Sequence, residues 1–321
     1  MDALLFSIGC ITPLFLMAAT GYLLKAVGVL TPPVAAGINK LVFNFALPIL
    51  LFESVATARL SQLFAPSLIA YTAGATAIIF ALAWLGAELL CKDKSVVGVV
   101  VQGTFRGNYA IIGLFLIESM LGHRGRGAMV VAVVVPLYNI LSVLVLSVRG
   151  KARQGLRLRD VLRGILTNPL IIGIACGLPF AVFDTPVFEL REAKFLTSTI
   201  ATLGSMANPL ALLSIGASLS VGELKSTWRT AAVVSVVKLV VVPLVFLGIA
   251  FALRGLLGFD GEDLTIVMVM LCVPTAVASY IMATQMSAHA SLAAGIVLLS
   301  SVGSVLTLAV FIYFFRLWGV I

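Results

Sequence analysis

Long apolar runs separated by short polar breaks fill this chain from end to end. Runs of about 18 or more apolar residues are typical of membrane-spanning helices, and each run here is bounded by charged residues, proline or glycine. The pattern predicts ten spans, over residues 4–26, 34–56, 64–91, 95–121, 127–148, 163–183, 194–219, 229–253, 264–286 and 291–315. We therefore predict an all-α polytopic membrane protein, and we expect its first span to be a retained helix because no basic stretch precedes it.

Composition supports this class and removes others. Hydrophobic residues make up 61% of the chain and charged residues 11%, with a mean hydropathy of +1.17. A soluble domain cannot hide that much apolar surface. The 4 cysteines are scattered, without the spacing of metal ligands or disulfide frameworks. We expect no metal and no cofactor.

Basic residues predict the orientation. The hydrophilic connector RGKARQGLRLRDVLRG, residues 149–164, separates spans five and six. If the connector is inside, the inner loops hold 12 basic residues and the outer loops 7, which favours a cytoplasmic connector with both termini outside. The connector could instead be a lipid- or nucleic-acid-binding patch, but no basic-aromatic domain accompanies it. We expect a protein of the bacterial inner (plasma) membrane that contacts membrane lipid and no nucleic acid.

The two halves of the chain repeat the same helix breaks. The matched positions are Pro13 with Pro169, Pro48 with Pro209, and Gly107-Asn108 with Pro274. Each half has an odd number of spans, five, so the second half must insert inverted relative to the first. The predicted organisation is a first five-helix repeat (1–149), a basic cytoplasmic connector (150–162) and a second, inverted repeat (163–321).

At these breaks the sequence resembles the auxin efflux carrier family, including its bacterial malonate and malate permease branch. The stretches that carry the resemblance are FNFALPILLF (43–52), QGTFRGNYAIIGL (102–114), NPLIIGIACGL (168–178), ANPLALLSIGASL (207–219) and VPTAVASYIMATQM (273–286). The resemblance implies ten transmembrane helices in two inverted five-helix repeats, with spans four and nine crossing where both are broken, similar to sodium–bile acid symporters. It also implies a substrate site beside the crossing, a paired scaffold and an elevator-like movement. Where plant members have an amide and a further proline, this chain continues Thr275, Ala276, Val277, Ala278, which favours the bacterial organic-anion branch.

Charge at the membrane centre points to the same region independently. Arg106 and Lys238 lie roughly 15 Å deep in spans four and eight, near the centre of the bilayer. A charge there is costly and is seldom kept without use. The carboxylates Glu53, Glu88 and Glu118 all lie nearer the ends of their spans. The membrane centre therefore carries surplus positive charge.

Helix breaks add to that positive charge. Gly107-Asn108 and Pro274 each interrupt a helix and free backbone N–H groups of the next half-helix. Asn108 and Thr275 offer polar side chains at the same points. Such a site suits a small anion. The predicted substrate-binding residues are Arg106, Gly107, Asn108, Tyr109, Pro274, Thr275, Asn44 and Lys238, with helix breaks at Pro13, Pro48, Pro169 and Pro209 and Glu53 as the candidate for ion coupling.

A structural role stays open beside each of these functional ones. Arg106 could be a counter-ion to freed carbonyl groups, and Lys238 could lie against Glu53 or another carbonyl cluster. Asn44 could satisfy polar groups at the Pro48 kink, Tyr109 could simply pack, and Glu53 could be an interfacial residue.

The predicted function is secondary active transport of small organic anions, mono- or dicarboxylates such as malonate or malate, by an elevator-type mechanism. Proton coupling is favoured over sodium, and a homodimer is expected from the family's scaffolds. A sodium-coupled symporter of the same fold and a passive channel are the alternatives. An intramembrane enzyme is not expected, because no aspartate is embedded and both histidines lie at span ends.

Overall fold

The computed structural model describes residues 2–56, 65–149, 167, 169–182, 194–218, 227–285 and 289–321. Within these ranges the regular structure is helical, apart from one isolated β-bridge between Gly107 and Thr275. The all-α prediction is confirmed for the described part of the chain. The basic connector 150–162 lies outside the described residues.

Fifteen α-helices are present in the described ranges. They are α1 (Asp2–Ala26), α2 (Pro32–Leu41), α3 (Leu47–Ala56), α4 (Pro66–Leu90), α5 (Val97–Phe105), α6 (Leu114–Leu121), α7 (Gly125–Arg149), α8 (Pro169–Val182), α9 (Lys194–Ser205), α10 (Ala207–Ser218), α11 (Trp228–Val236), α12 (Val242–Leu257), α13 (Gly261–Cys272), α14 (Val277–Gln285) and α15 (Ala290–Leu317). Three single π-helical turns join successive α-helices, at Val42–Ala46, Tyr109–Gly113 and Val237–Val241.

Helix occurs in every one of the ten predicted span ranges. Six described helical segments are long and apolar enough to cross a membrane, namely Pro32–Glu53, Pro66–Leu90, Gly125–Leu146, Lys194–Ser214, Trp228–Leu257 and Ala290–Leu317. Two shorter apolar helices, Tyr109–Leu121 and Ile171–Phe180, accompany them. The chain is therefore a polytopic membrane protein, and the crossing of all ten spans stays a prediction.

One group of helices joins the first two spans of each half. Helix α1 packs along α10, and α3 packs along α8 and α9. Glycine allows the closest approaches, because a Cβ at Gly216 would lie 1.8 Å from the Ala18 carbonyl oxygen and one at Gly173 would lie 2.3 Å from that of Pro48. Small residues let membrane helices approach at backbone distance. The two helix pairs correspond to each other when the halves are exchanged.

A second group holds the remaining spans and repeats one contact pattern in both halves. In the first half α4 packs on α5 and α7, and α5 packs on α7. In the second half α12 packs on α13, α11 packs on α15, and α13 packs on α15. Each contact in the first half therefore has a counterpart between the equivalent spans of the second half. This group contains α5 and α13, the helices that end at the two central breaks.

Prolines within the spans have different local effects. Pro48 and Pro243 each follow a π-helical turn. Proline has no N–H and clashes with the carbonyl group four residues earlier, and a π-turn moves that carbonyl aside. Helix α1 continues through Pro13, Pro169 is the first residue of α8, and Pro209 is the third residue of α10. These three positions therefore differ from the predicted mid-span breaks, since proline is tolerated in the first turn of a helix and in a packed membrane helix.

Candidate substrate site at two paired helix breaks

The first central break lies between α5 and the π-turn that starts at Tyr109. Helix α5 ends at Phe105, and Arg106 is extended, with φ −86° and ψ 102°. Asn108 is also non-helical, with φ −81° and ψ 53°. Glycine is among the weakest helix formers, and asparagine competes for backbone hydrogen bonds. The Arg-Gly-Asn sequence thus ends the helix inside an apolar segment.

The second central break lies between α13 and α14. Helix α13 ends at Cys272, and Val273 is extended, with φ −62° and ψ 145°. The residue before a proline is disfavoured in the helical region, so Pro274 sets this conformation. Helix resumes at Val277. Unlike the first break, this one carries no charged side chain.

The two breaks pair with each other through their backbones. The Asn108 N–H donates to the Pro274 carbonyl oxygen at 2.8 Å, and the Ala276 N–H donates to that of Arg106 at 3.2 Å. Gly107 and Thr275 form an antiparallel bridge between these bonds. A Cβ at Gly107 would lie 2.9 Å from Val273 Cγ2, so glycine permits the close approach. We call residues 106–108 and 273–276 the paired breaks.

Side chains satisfy the carbonyl groups that the breaks leave without helical donors. The Thr275 hydroxyl donates to the Gly103 carbonyl oxygen at 2.7 Å, and Lys238 Nζ donates to that of Leu271 at 3.3 Å. The Thr275 N–H donates to Ser300 Oγ at 3.2 Å. The N–H groups of residues 108, 275 and 276 therefore already have partners. The predicted role of the N–H groups that open the following half-helices, from Tyr109 and Val277 onward, stays a prediction.

Arg106 is buried, 6% exposed, and its guanidinium contacts neutral side chains. Nη2 donates to Asn139 Oδ1 at 2.8 Å, while Nη1 lies 3.2 Å from Ser142 Oγ and 2.7 Å from Met282 Sδ. Asn139 and Ser142 lie one turn apart on α7. Thioether sulfur is a weak hydrogen-bond acceptor. Side chains of α7 therefore position the guanidinium, whereas the Met282 sulfur on α14 compensates its charge only weakly.

Positive charge at the paired breaks has no carboxylate partner in the described part of the chain. Neither Arg106 nor Lys238, which is 1% exposed, forms an ion pair there. Ion pairs among the described residues include those between Arg124 and Glu118 and between Arg126 and the Asp260–Asp263 capping box, which lie at helix ends. Burial of an uncompensated charge costs several kcal/mol. An anion held here would offset that cost.

The other predicted site residues fall into two sets. Asn108 is buried at the break, and its side chain forms no hydrogen bond within the described residues. Tyr109 is fully buried, but its hydroxyl donates to the Gly127 carbonyl oxygen at 3.3 Å and its ring packs over Gly113. Asn44 is exposed in the first π-turn and donates to the Lys40 carbonyl oxygen at 2.9 Å. The structure therefore brings Asn108, but not Asn44, to the buried site.

Glu53 lies on α3, in the first group of helices. A Cβ at Gly204 of α9 would lie 3.4 Å from Glu53 Oε2, and the charges of Arg124 and Glu118 act on the carboxyl group. Lys238 contacts the Leu271 carbonyl instead. The sequence left open whether Lys238 lies against Glu53 or against carbonyl groups, and in the structure it contacts a carbonyl group.

Sequence reasoning missed four residues that contact Arg106 or its neighbours, namely Gln102, Asn139, Ser142 and Met282. Asn139 and Ser142 are the polar residues at three-residue spacing inside the apolar fifth span, which was a readable signal for a shared helix face. Gln102 lies four residues before Arg106, in the last turns of α5, so it too could have been found. Nothing in the sequence distinguishes Met282 from other apolar residues of its span.

A polar contact also joins loops at one end of the second group. Ser95 Oγ donates to Asp93 Oδ1 at 2.6 Å and lies 2.7 Å from His289 Nε2. Hydrogen bonds from the Ser95 hydroxyl and amide hold the pKa of Asp93 below its usual value. Asp93 caps the turn leading into α5, and His289 precedes α15. The contact therefore ties the start of the first broken span to the last helix.

Two curated proteins from archaea match nearly the whole chain. An uncharacterized transporter of Methanothermobacter thermautotrophicus is 23% identical over 308 residues, covering 94% of this chain and 93% of that protein. An uncharacterized transporter of Methanocaldococcus jannaschii is 24% identical over 318 residues, covering 95% of each chain.

A bacterial relative and a family model extend this comparison. A putative malonate transporter of Rhizobium meliloti is 26% identical over 318 residues, covering 96% of this chain and 95% of that protein. The family model described as membrane transport protein matches twice, over residues 6–158 and 156–312. Together the two matches cover both halves of the chain. The chain therefore belongs to the membrane transport protein family, the auxin efflux carrier family that its sequence resembles.

Proposed function

We propose that this protein is a secondary active transporter of small organic anions, mono- or dicarboxylates such as malonate or malate. The observation that carries the proposal is the buried Arg106 guanidinium, which lies at the paired breaks without a carboxylate partner among the described residues. A bound carboxylate supplies that missing charge and accepts charge-assisted hydrogen bonds. The putative malonate transporter among its relatives agrees with a substrate of this kind.

Within the site, each residue at the first break has a distinct task. Arg106 binds the carboxylate, Asn108 donates its side-chain amide to a second oxygen, and Gly107 keeps the backbone thin enough for the ligand to approach. Lys238 adds positive potential, since Gly107 Cβ would lie 3.5 Å from its Nζ. Tyr109, Pro274 and Thr275 act mainly on the shape of the site.

Alternating access would arise from movement of one of the two helix groups relative to the other. We assign the group of α1, α3, α8 and α10 to a scaffold and the group that contains the paired breaks to a moving, elevator-type portion. The mirrored helix contacts and the double match of the family model support two inverted five-helix repeats, 1–149 and 163–321, in which spans four and nine cross at the paired breaks. The proposal keeps both termini outside, the connector cytoplasmic, the scaffold in a homodimer and the protein in the plasma membrane.

Proton coupling is part of the proposal, with Glu53 as the carrier. Glu53 lies on the scaffold side, while Arg124, whose charge acts on it, follows α6 in the moving portion. Protonation of Glu53 would weaken that attraction between the two groups of helices. Sodium coupling is the second candidate, because carbonyl groups are exposed by both breaks, but Gly103 and Leu271 already have side-chain donors.

Uptake by purified protein in liposomes tests the proposal. Labelled malonate, malate and monocarboxylates are supplied with an inward pH gradient, an inward sodium gradient or neither. We expect saturable dicarboxylate uptake that the pH gradient accelerates and that Arg106→Gln strongly weakens. Uptake driven by sodium alone would replace the proton proposal, gradient-independent flux would identify a channel, and absence of carboxylate uptake by the intact protein would overturn the proposed function.

A further inference from the structure

Gln102 is a buried amide with an unused acceptor. It lies on α5 one turn before Arg106 and is 0% exposed. Its Nε2 donates to Met282 Sδ at 3.7 Å, while its Oε1 has no hydrogen-bond partner in the described part of the chain. Buried polar atoms in folded proteins almost always have a partner. This oxygen therefore calls for an explanation.

Met282 connects this amide to the charged group of the site. The sulfur that accepts from Gln102 also lies 2.7 Å from Arg106 Nη1. A thioether on an unbranched, flexible side chain is a weak acceptor and is easily moved. A carboxylate oxygen is the stronger acceptor for a guanidinium. An incoming carboxylate would therefore displace the Met282 sulfur from the Arg106 guanidinium.

A second unpartnered polar atom lies close to Met282 in the sequence and on the same helix. Ser279 is 2% exposed, and its Oγ has no hydrogen-bond partner among the described residues. Ser279 and Met282 are three residues apart on α14, so they share one face of that helix. Helix α14 packs against α5, which carries Gln102 and ends directly before Arg106. Two unpartnered polar side chains therefore lie on the two helices that meet at Met282.

We infer that Gln102 is a specificity-determining residue whose Oε1 accepts a hydrogen bond from a donor next to the carboxylate held by Arg106. The matching ligand chemistry is a 2-hydroxycarboxylate, in which the hydroxyl lies beside the carboxylate. Ser279 takes the other hydrogen bond of that hydroxyl. The inference rests on the proposed function, because it assigns the substrate class of the same site.

The physical basis of the discrimination is the cost of an unmatched acceptor. A ligand without the hydroxyl leaves Gln102 Oε1 unpaired in the occluded site, whereas a hydroxylated ligand satisfies it. Sites built to hydrogen-bond a hydroxyl reject analogues that lack it far better than apolar pockets reject an extra group. We expect a preference of at least about tenfold, which corresponds to ~1.4 kcal/mol.

Malate and succinate form the matched pair of probes, because they differ by one hydroxyl group. Half-saturating concentrations for both are measured in proteoliposomes with the intact protein and with Gln102→Met, which keeps the length of the side chain but removes the acceptor. Thr104→Val is the control, since Thr104 lies on the same helix and donates to the Val100 carbonyl oxygen. We expect the intact protein and the control to favour malate, and Gln102→Met to lose that preference by weakening malate alone.

Three outcomes overturn the inference, and they differ from a failure of the proposed function. The intact protein could show no preference for malate, Gln102→Met could keep the preference, or Gln102→Met could weaken both ligands equally, as expected if Gln102 binds only buried water. In each case malonate uptake that depends on Arg106 would leave the proposed function in place. If the intact protein transported no carboxylate at all, both would fail. The ratio of the half-saturating concentrations for succinate and malate in the intact protein tests the inference even if the variant does not fold.

Discussion

The two paired breaks differ in chemistry although they lie at equivalent places in the two halves. The first contains Arg106 and Asn108, whereas the second contains Val273, Pro274 and Thr275 and no charge. At the first break the freed Gly103 carbonyl accepts from the Thr275 hydroxyl of the other break. At the second, the freed Leu271 carbonyl accepts from the ammonium group of Lys238. Under the proposed function, the first break binds the anion and the second break shapes and supports it.

The largest effect is expected from Arg106→Gln. This variant removes charge-assisted hydrogen bonds to the ligand, each of which is worth about 1.5–3 kcal/mol. The half-saturating concentration for dicarboxylate uptake should rise about 10- to 100-fold. Arg106→Lys serves as the control because it keeps the charge but loses the guanidinium fork. Its half-saturating concentration should lie between those of the intact protein and Arg106→Gln. Unchanged uptake by Arg106→Gln would remove the first break from the binding site.

Gly107→Ala should separate the two breaks. The added Cβ would lie 2.9 Å from Val273 Cγ2 and 3.3 Å from the Met270 carbonyl oxygen, so the pairing must shift. Overpacking of this kind typically costs 1–3 kcal/mol. We expect a lower melting temperature in detergent together with weaker uptake.

Gly86→Ala is the matched control for that experiment. Gly86 lies within α4, and a Cβ there would meet no atom within 4 Å. Alanine is the better helix former by roughly 0.5–1 kcal/mol, so this variant should keep or raise the melting temperature. Equal behaviour of the two variants would show that the paired breaks tolerate separation.

Thr275→Val tests the supporting role of the second break. The variant leaves the Gly103 carbonyl without its side-chain donor, which should lower the unfolding free energy by roughly 1–2 kcal/mol. The half-saturating concentration for the anion should stay within about twofold of the unmodified protein. Thr72→Val is the control, because Thr72 is buried but donates to Leu68 of its own helix. A large loss of anion affinity at normal stability would instead place Thr275 in the binding site.

Asn108→Ala should give the smallest change in free energy. Loss of one neutral hydrogen bond to the ligand is worth about 0.5–1.5 kcal/mol, or roughly 2- to 12-fold in affinity. Asn108→Asp should be worse than alanine, because it places a negative charge beside the anion site. Competition by unlabelled malonate measures both. If the aspartate variant bound malonate as tightly as the alanine variant, charge at this position would not matter.

The sequence predicted the positions of the two central helix breaks better than the contacts around them. Arg106, Gly107 and Asn108 were identifiable because polar residues inside an apolar span are costly and therefore rare. The crossing of spans four and nine followed only from the family resemblance, and the bridge between Gly107 and Thr275 was not predicted because these residues are far apart in the chain. Asn139 and Met282 were not predicted as partners of Arg106, because side-chain contacts between spans depend on helix rotation that periodicity does not determine. For the same reason the sequence did not reveal that N–H groups freed at one break would be taken by the other.

Proline was the least reliable signal. Pro274 ends α13, but α1 passes through Pro13, and Pro169 and Pro209 lie in first turns. Whether a proline breaks a span depends on the groups available to satisfy the carbonyl that loses its donor. At the second break the Thr275 N–H bonds to Ser300, and the Leu271 carbonyl that would have accepted from it accepts from Lys238 of another helix. Local sequence does not contain that information.

The most direct test of the central claim is the melting temperature of purified protein with increasing malonate, for the intact chain and for Arg106→Gln. Because a buried charge without a partner is costly, Arg106→Gln should melt at the same or a higher temperature than the intact protein without ligand. Malonate should then raise the melting temperature of the intact protein in a saturable way, and it should raise that of the variant only at concentrations about 10- to 100-fold higher. The claim would be contradicted if the variant melted markedly lower without ligand yet was still stabilised by malonate at the same concentrations as the intact protein, because Arg106 would then hold the helices together and not the anion.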